Sequence, residues 1–157
     1  MKRECLFSAF SLILLGCGPR GFADGVDDPP DDPPVLEADL RFFNLGSPYS
    51  PQYVSAGETL RVDFLIKNQG TADSGGFFVE FYLSTNPTIT PSDYLLGTEY
   101  VSSIPPDGLG RPIADYTVPA LSIGTYYFGW MIDSSDVVQE SNESNNIGCD
   151  GDLLHIQ

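Results

Sequence analysis

From Leu36 onward, apolar and polar residues alternate with the two-residue period of an extended strand, and no segment carries the period of a helix. The clearest run is Glu58 to Asn68, where Leu60, Val62, Phe64 and Ile66 alternate with Arg61, Asp63 and Lys67. Neighbouring side chains of a strand point to opposite faces, so this run predicts a half-buried strand. Asn68-Gln69-Gly70 and Ser74-Gly75-Gly76 then supply turn residues, and Phe77, Val79, Phe81 and Leu83 form an inward face opposite Glu80 and Tyr82. Between Gly124 and Ile132, Tyr126, Phe128, Trp130 and Ile132 share one face, and Tyr127, Gly129 and Met131 share the other. Shorter strands are predicted at Leu40 to Leu45, Thr98 to Ile104, Ile113 to Val118 and Asp152 to Ile156. Pro48 and Pro51 mark an edge or a crossover, because proline donates nothing to a ladder. Six or seven strands at this spacing predict an all-β, two-sheet sandwich.

Composition agrees: in 157 residues Gly, Pro, Tyr and Phe are plentiful, and the length suits one domain. Seven bases face 22 acids. Such a surface repels phosphate backbones and anionic lipid, which excludes nucleic acid as a partner and leaves cations and basic surfaces.

The first residues read as an export signal. Lys2 and Arg3 form a positive start, and Leu6 to Leu15 is an apolar run too short to span a bilayer comfortably. Leu14-Leu15-Gly16-Cys17 resembles a bacterial lipobox, which makes residues 1–17 a signal peptide and Cys17 a lipidation site in the cell envelope. The alternative is ordinary cleavage after Ala23, guided by Gly21 and Ala23, which would leave the protein secreted. Residues 18–34 form an acidic, proline-rich spacer with a DDPP unit repeated at Asp27 to Pro30 and Asp31 to Pro34. Extended polyproline chain rises about 3.1 Å per residue, so this spacer reaches roughly 50 Å. Cys5 and Cys17 belong to the leader, so Cys149 stands alone in the domain, residues 35–157, and reads as a half-buried or idle thiol.

Candidate chemistry gathers after Ile132. Asp133, Asp136, Glu140, Asn142, Glu143 and Asn145 place oxygens at close spacing, the chemistry that a calcium ion prefers. The same residue types also hold turns by bonding their own backbone, the structural account of Asn142, Asn145 and Asn146. An EF-hand is excluded, since the alternate positions after Asp133 are Ser135 and Val137. Ser84, Asn86, Ser92 and Asp93 form a weaker second candidate. No catalytic residue is assigned. His155 is the lone histidine, no nucleophile elbow or paired-cysteine zinc pattern occurs, and Glu140 and Glu143 lie too close on one loop to flank a sugar. Trp130 reads as core; a sugar-stacking role would need it exposed, and Tyr127, Tyr82 and Tyr100 are better placed for exposure.

Four stretches resemble the CARDB family of bacterial cell-adhesion-related domains: Lys67 to Gly75, Phe81 to Gly97, Leu121 to Gly129 and Asp133 to Asn146. They occur once, in the family's order. The resemblance implies an immunoglobulin-like β-sandwich of about seven strands, used as a non-catalytic extracellular module with no particular ligand. In that fold Leu121 to Tyr126 is the entry where a tyrosine corner sits, and the Tyr126 hydroxyl would bond upstream backbone. The expected function is adhesion or protein interaction with a surface protein or glycan. A carbohydrate-binding module and a structural spacer without ligand are the alternatives.

Overall fold

The computed structural model describes residues 35–43 and 47–157. The expected signal peptide, Cys17, the expected spacer and Leu45 lie outside these residues. Eleven short β segments form the fold, and no helix occurs among the described residues.

One layer is a five-stranded sheet ordered β3 (Tyr53–Val54), β11 (Ile147–Ile156), β10 (Gly124–Ile132), β6 (Phe77–Ser84) and β7 (Tyr94–Val101). The facing layer has two three-stranded pieces. The first is β1 (Leu40–Phe42), β5 (Ile66–Asn68) and β8 (Leu109–Gly110); the second is β2 (Tyr49–Ser50), β4 (Thr59–Asp63) and β9 (Ile113–Thr117). The pieces are halves of one layer. β4 runs into β5 through Phe64-Leu65, β8 into β9 through Arg111-Pro112, and backbone bonds from Phe64 to Pro112 (3.1 Å) and from Phe43 to Leu65 (2.8 Å) carry the ladder across the breaks. With two facing β layers, the fold is an immunoglobulin-like sandwich.

The first strand changes sheets. β2 pairs antiparallel with β4, while β3 pairs parallel with β11 in the other layer. The cis Ser50-Pro51 bond lies between them, so Pro51 stands at the crossover.

Inward positions fill the space between the layers. Leu60, Val62, Phe64 and Ile66 face Val79, Phe81, Leu83, Phe128 and Ile132, all essentially without solvent exposure. Trp130 is 5 % exposed and packs against Phe42, ring centroids 4.3 Å apart, and against Phe64 at 5.2 Å. Gly148 makes room for it, since a Cβ there would sit 2.8 Å from the indole. Tyr126 packs inside too, and its hydroxyl donates to the Ser122 carbonyl at 2.9 Å, four residues upstream.

Four expectations are corrected. β7 begins at Tyr94 and ends at Val101, because its partner β6 is an eight-residue strand whose Leu83 pairs with Tyr94. β11 begins at Ile147, because β10 extends to Ile132 and pairs Met131 with Ile147 across an irregular register. Tyr82 is buried, because the connection after β6 folds back so that Ile89 joins Tyr82, Met131 and Cys149 in a second small core on the outer sheet face. Gly129 permits this, as a Cβ there would lie 2.2 Å from Ile89 Cδ1. Cys149 is buried rather than half-buried, with its Sγ 3.4 Å from the Pro87 carbonyl oxygen.

Candidate functional site

The acidic loop joins β10 to β11 at one end of the sandwich. It opens on Asp133 and Asp136, both in the left-handed backbone region (φ 49° and 51°), which Asp tolerates better than most residues. Asp133 Oδ2 accepts the N–H groups of Val137 (2.9 Å) and Val138 (2.7 Å), and that turn drops Val138 into the core.

The next residues bind the segment before β1. Ala38 and Glu140 form a parallel bridge, and Ser141 donates its N–H to the Ala38 carbonyl at 2.9 Å. Buried Glu140 accepts the Leu40 N–H on Oε2 and the Asn146 amide at 2.8 Å on Oε1. Glu143 accepts the Glu140 N–H at 3.0 Å and the same Asn146 amide at 3.2 Å. Asn145 reaches Asp39 at 2.7 Å. Burial above all, then the charges of Glu143 and Asp133, raises the Glu140 carboxyl to about 7 against the pull of its two donors.

Asn68 completes this end. It is fully buried; its amide donates to the carbonyls of Ala72 (2.7 Å) and Ile104 (2.8 Å), and its oxygen accepts from Asp39 (3.1 Å) and Gly70 (3.0 Å). One side chain therefore ties three chain segments.

The six oxygen-bearing candidates do not form one cluster. Glu140 and Glu143 meet around Asn146, and Asp133 lies within electrostatic reach. Asp136 is exposed, Asn142 accepts from its neighbour Ser144 (2.6 Å to the hydroxyl), and Asn145 is tied to Asp39. Among the described residues no group of three or more His, Cys, Asp or Glu is disposed to hold a metal. Three buried oxygens in and beside the loop lack a hydrogen-bond partner: Asp133 Oδ1, Asn145 Oδ1 and Asn146 Oδ1. The second candidate is local turn structure, with Asn86 Oδ1 accepting from Thr88 at 2.9 Å and Asp93 Oδ2 from Thr90 at 2.8 Å.

Asp39, Asn68 and Asn146 carry much of this network, and the candidate list omits them. Asn68 was detectable, since it continues the inward series from Leu60 to Ile66 and a polar residue there must be internally bonded.

A depression lined by Phe42, Phe43, Ser47, Pro48, Asp63, Leu65 and Arg111 holds about 180 Å³, below the roughly 300 Å³ at which small-molecule sites begin. Arg111 bonds both Asp63 oxygens (2.7 and 2.6 Å) and holds that carboxyl below its usual range.

Exposed apolar side chains occur on several parts of the surface, and two of them pack together on the outer face of the five-stranded sheet. Phe78 and Tyr100 are register partners, 44 % and 60 % exposed with ring centroids 5.2 Å apart, and exposed Leu95 lies on the same face beyond Thr98. Farther along, Tyr53 stacks on His155 at 4.6 Å. Lys and Arg are absent from these five strands. The four in the described residues, Arg41, Arg61, Lys67 and Arg111, all belong to the other layer.

An immunoglobulin-like sandwich whose acidic loop is sewn to its first strand defines the class of this protein. Residues 37–148 match the family model for CARDB, and the chain belongs to the CARDB family. Among solved structures it is similar to the CARDB domain of the PF1109 protein from Pyrococcus furiosus in complex with di-metal ions, with 19 % identity, a TM-score of 0.57, and coverage of 78 % of this chain and 96 % of that one. It is also similar to the 272–376 domain of a protein named for the cell surface from Methanosarcina acetivorans, with 22 % identity, a TM-score of 0.53, and coverage of 78 % and 94 %. At these identities the likeness concerns the fold. A search of curated protein sequences gave no match.

Proposed function

We propose that this chain is an exported, envelope-anchored, non-catalytic module that engages a surface partner through the outer face of its five-stranded sheet. The observation that carries this reading is the exposed, mutually packed pair Phe78 and Tyr100, with exposed Leu95 on the same face, in a sheet whose strands carry no Lys or Arg. Exposed apolar patches of this kind mark interaction surfaces. The loop carboxylates support a non-catalytic role, because Glu140 and Glu143 spend their oxygens on internal donors. The lipobox-like Cys17 and the export signal support display from the envelope.

The test uses beads coated with the purified chain and retained by bacterial envelope fragments. Loss of retention after protease treatment of the fragments identifies a protein partner. Loss after periodate identifies a glycan, the carbohydrate-binding alternative. No retention under any condition overturns the reading in favour of a spacer.

A calcium reading is favoured by one observation, the three unpartnered buried oxygens of Asp133, Asn145 and Asn146, with the di-metal complex of the Pyrococcus furiosus domain beside it. These three residues would hold the ion, and calcium would supply cross-linking charge rather than reactivity. Melting in EDTA and in millimolar calcium tests this. A rise in midpoint with calcium that Asp133→Asn removes supports it, since Asn keeps the acceptor for Val137 and Val138; superimposable melts refute it.

A further inference from the structure

We propose that β7 is a docking edge that takes up an extended, cationic segment of another protein by strand addition. This deepens the interaction-module reading and rests on it. Among the described residues β7 ends its sheet and pairs with β6 alone. It has eight residues, whereas β3 at the opposite edge has two. The edges of the other layer are short or bounded by proline: β1 and β2 have three and two residues with Pro48 and Pro51 beside β2, and β9 has five between Pro112 and Pro119. Short strands, prolines and outward charges are the usual protections of a sheet edge. β7 is long, has no proline and turns no charge outward; its one irregularity is a bulge at Leu96, which leaves Gly97 to Val101 as a regular open edge. Its single charge, Glu99, accepts a hydrogen bond from the Tyr116 hydroxyl of the facing layer at 2.8 Å. The residues left outward are Thr98 and Tyr100, with Phe78 beside Tyr100 and Leu95 farther along the edge.

Charge selects the occupant. β6 and β7 carry Glu80 and Glu99, Asp93 precedes β7, and the sheet contains no Lys or Arg. A second copy would bring another formal charge of −15 to this edge, whereas a segment alternating Lys or Arg with apolar residues turns its cations to the outer face, where their charges approach Glu80 and their alkyl stems lie along Tyr100 and Leu95, and its apolar side chains to the opposite face. Backbone bonds along the edge would supply affinity and the alternate side chains selectivity, as in other strand additions.

The test offers the chain an acetylated, amidated (Lys-Val)4 peptide and reads backbone hydrogen exchange by mass spectrometry. The expected result is at least tenfold slower exchange confined to residues 94–101. The same peptide N-methylated at every second residue keeps its charge but loses edge donors, and (Glu-Val)4 reverses the charge; neither should protect β7. Thr98→Lys should weaken binding of the first peptide at least tenfold while leaving β10 exchange unchanged. Equal protection by the N-methylated peptide, protection spread over the other layer, or none at saturating peptide overturns the proposal. A concentration-dependent dimer that Thr98→Lys abolishes overturns it in favour of a second copy. If β7 is not protected while coated beads are still retained by envelope fragments, the edge proposal falls and the module reading stands.

Discussion

Glu140 shows how one buried carboxyl couples this domain to pH. Its folded pKa of about 7 lies above the ordinary 4.5, so the folded state binds the proton more tightly than the unfolded chain. Stability from this group is therefore fully present below about 4.5 and is lost as pH rises through 7. At about 1.4 kcal/mol per unit, the interval corresponds to an effect on the order of 3 kcal/mol. Urea melts between pH 5 and 8 should show falling stability in the wild type and a flatter profile in Glu140→Gln; parallel profiles would remove Glu140 as the cause. Asn68 gives a second prediction at this scale. Asn68→Asp removes both donors to Ala72 and Ile104 and sets a carboxylate against two carbonyls, so it should cost about 3 kcal/mol or more in denaturant melts. These two residues differed in legibility. Asn68 lies on a strand period that assigns it to the core, whereas Glu140 is one acid among several in an aperiodic loop. Its burial depends on the Ala38 segment, about a hundred residues away in sequence.

Among elements, the loop is bonded to the segment before β1, and Gly70 packs directly on that segment. A Cβ on Gly70 would fall 2.4 Å from the Glu37 carbonyl oxygen and 2.6 Å from the Asp39 nitrogen. Backbone cannot rotate aside as a side chain can. Gly70→Ala should therefore cost about 2 kcal/mol and quicken amide exchange at Ser141, whose N–H bonds Ala38; unchanged exchange there would mean the two pieces are not coupled. Long strands such as β4, β6 and β10 were legible because their alternation is regular over the element. The starts of β7 and β11 were not. Tyr94-Leu95-Leu96-Gly97 breaks the alternation where the β6 pairing shifts register between Phe81 and Tyr82, and Gly148, Asp150 and Gly151 dilute the apolar signal of β11.

For the whole molecule, acidity is the dominant electrostatic fact. All four Lys and Arg side chains of the described residues sit in one layer, and three are paired with Asp115, Asp107 and Asp63. Surface pairs contribute little, so the self-repulsion of a chain at −15 outweighs them. Raising NaCl from 10 to 300 mM should therefore raise the melting midpoint; a fall would show that the ion pairs dominate. The fold shows a matching division: one end of the sandwich ties its acids to internal donors, and one sheet face leaves Phe78 and Tyr100 exposed.

The most direct measurement of that division is bead retention on envelope fragments for the wild type, Phe78→Ser/Tyr100→Ser and Asp133→Asn, each verified as folded. The account predicts that the double substitution on the sheet face reduces retention at least tenfold and that the loop substitution leaves it unchanged. Full retention by the double variant together with loss in Asp133→Asn would place the contact at the loop and contradict the account.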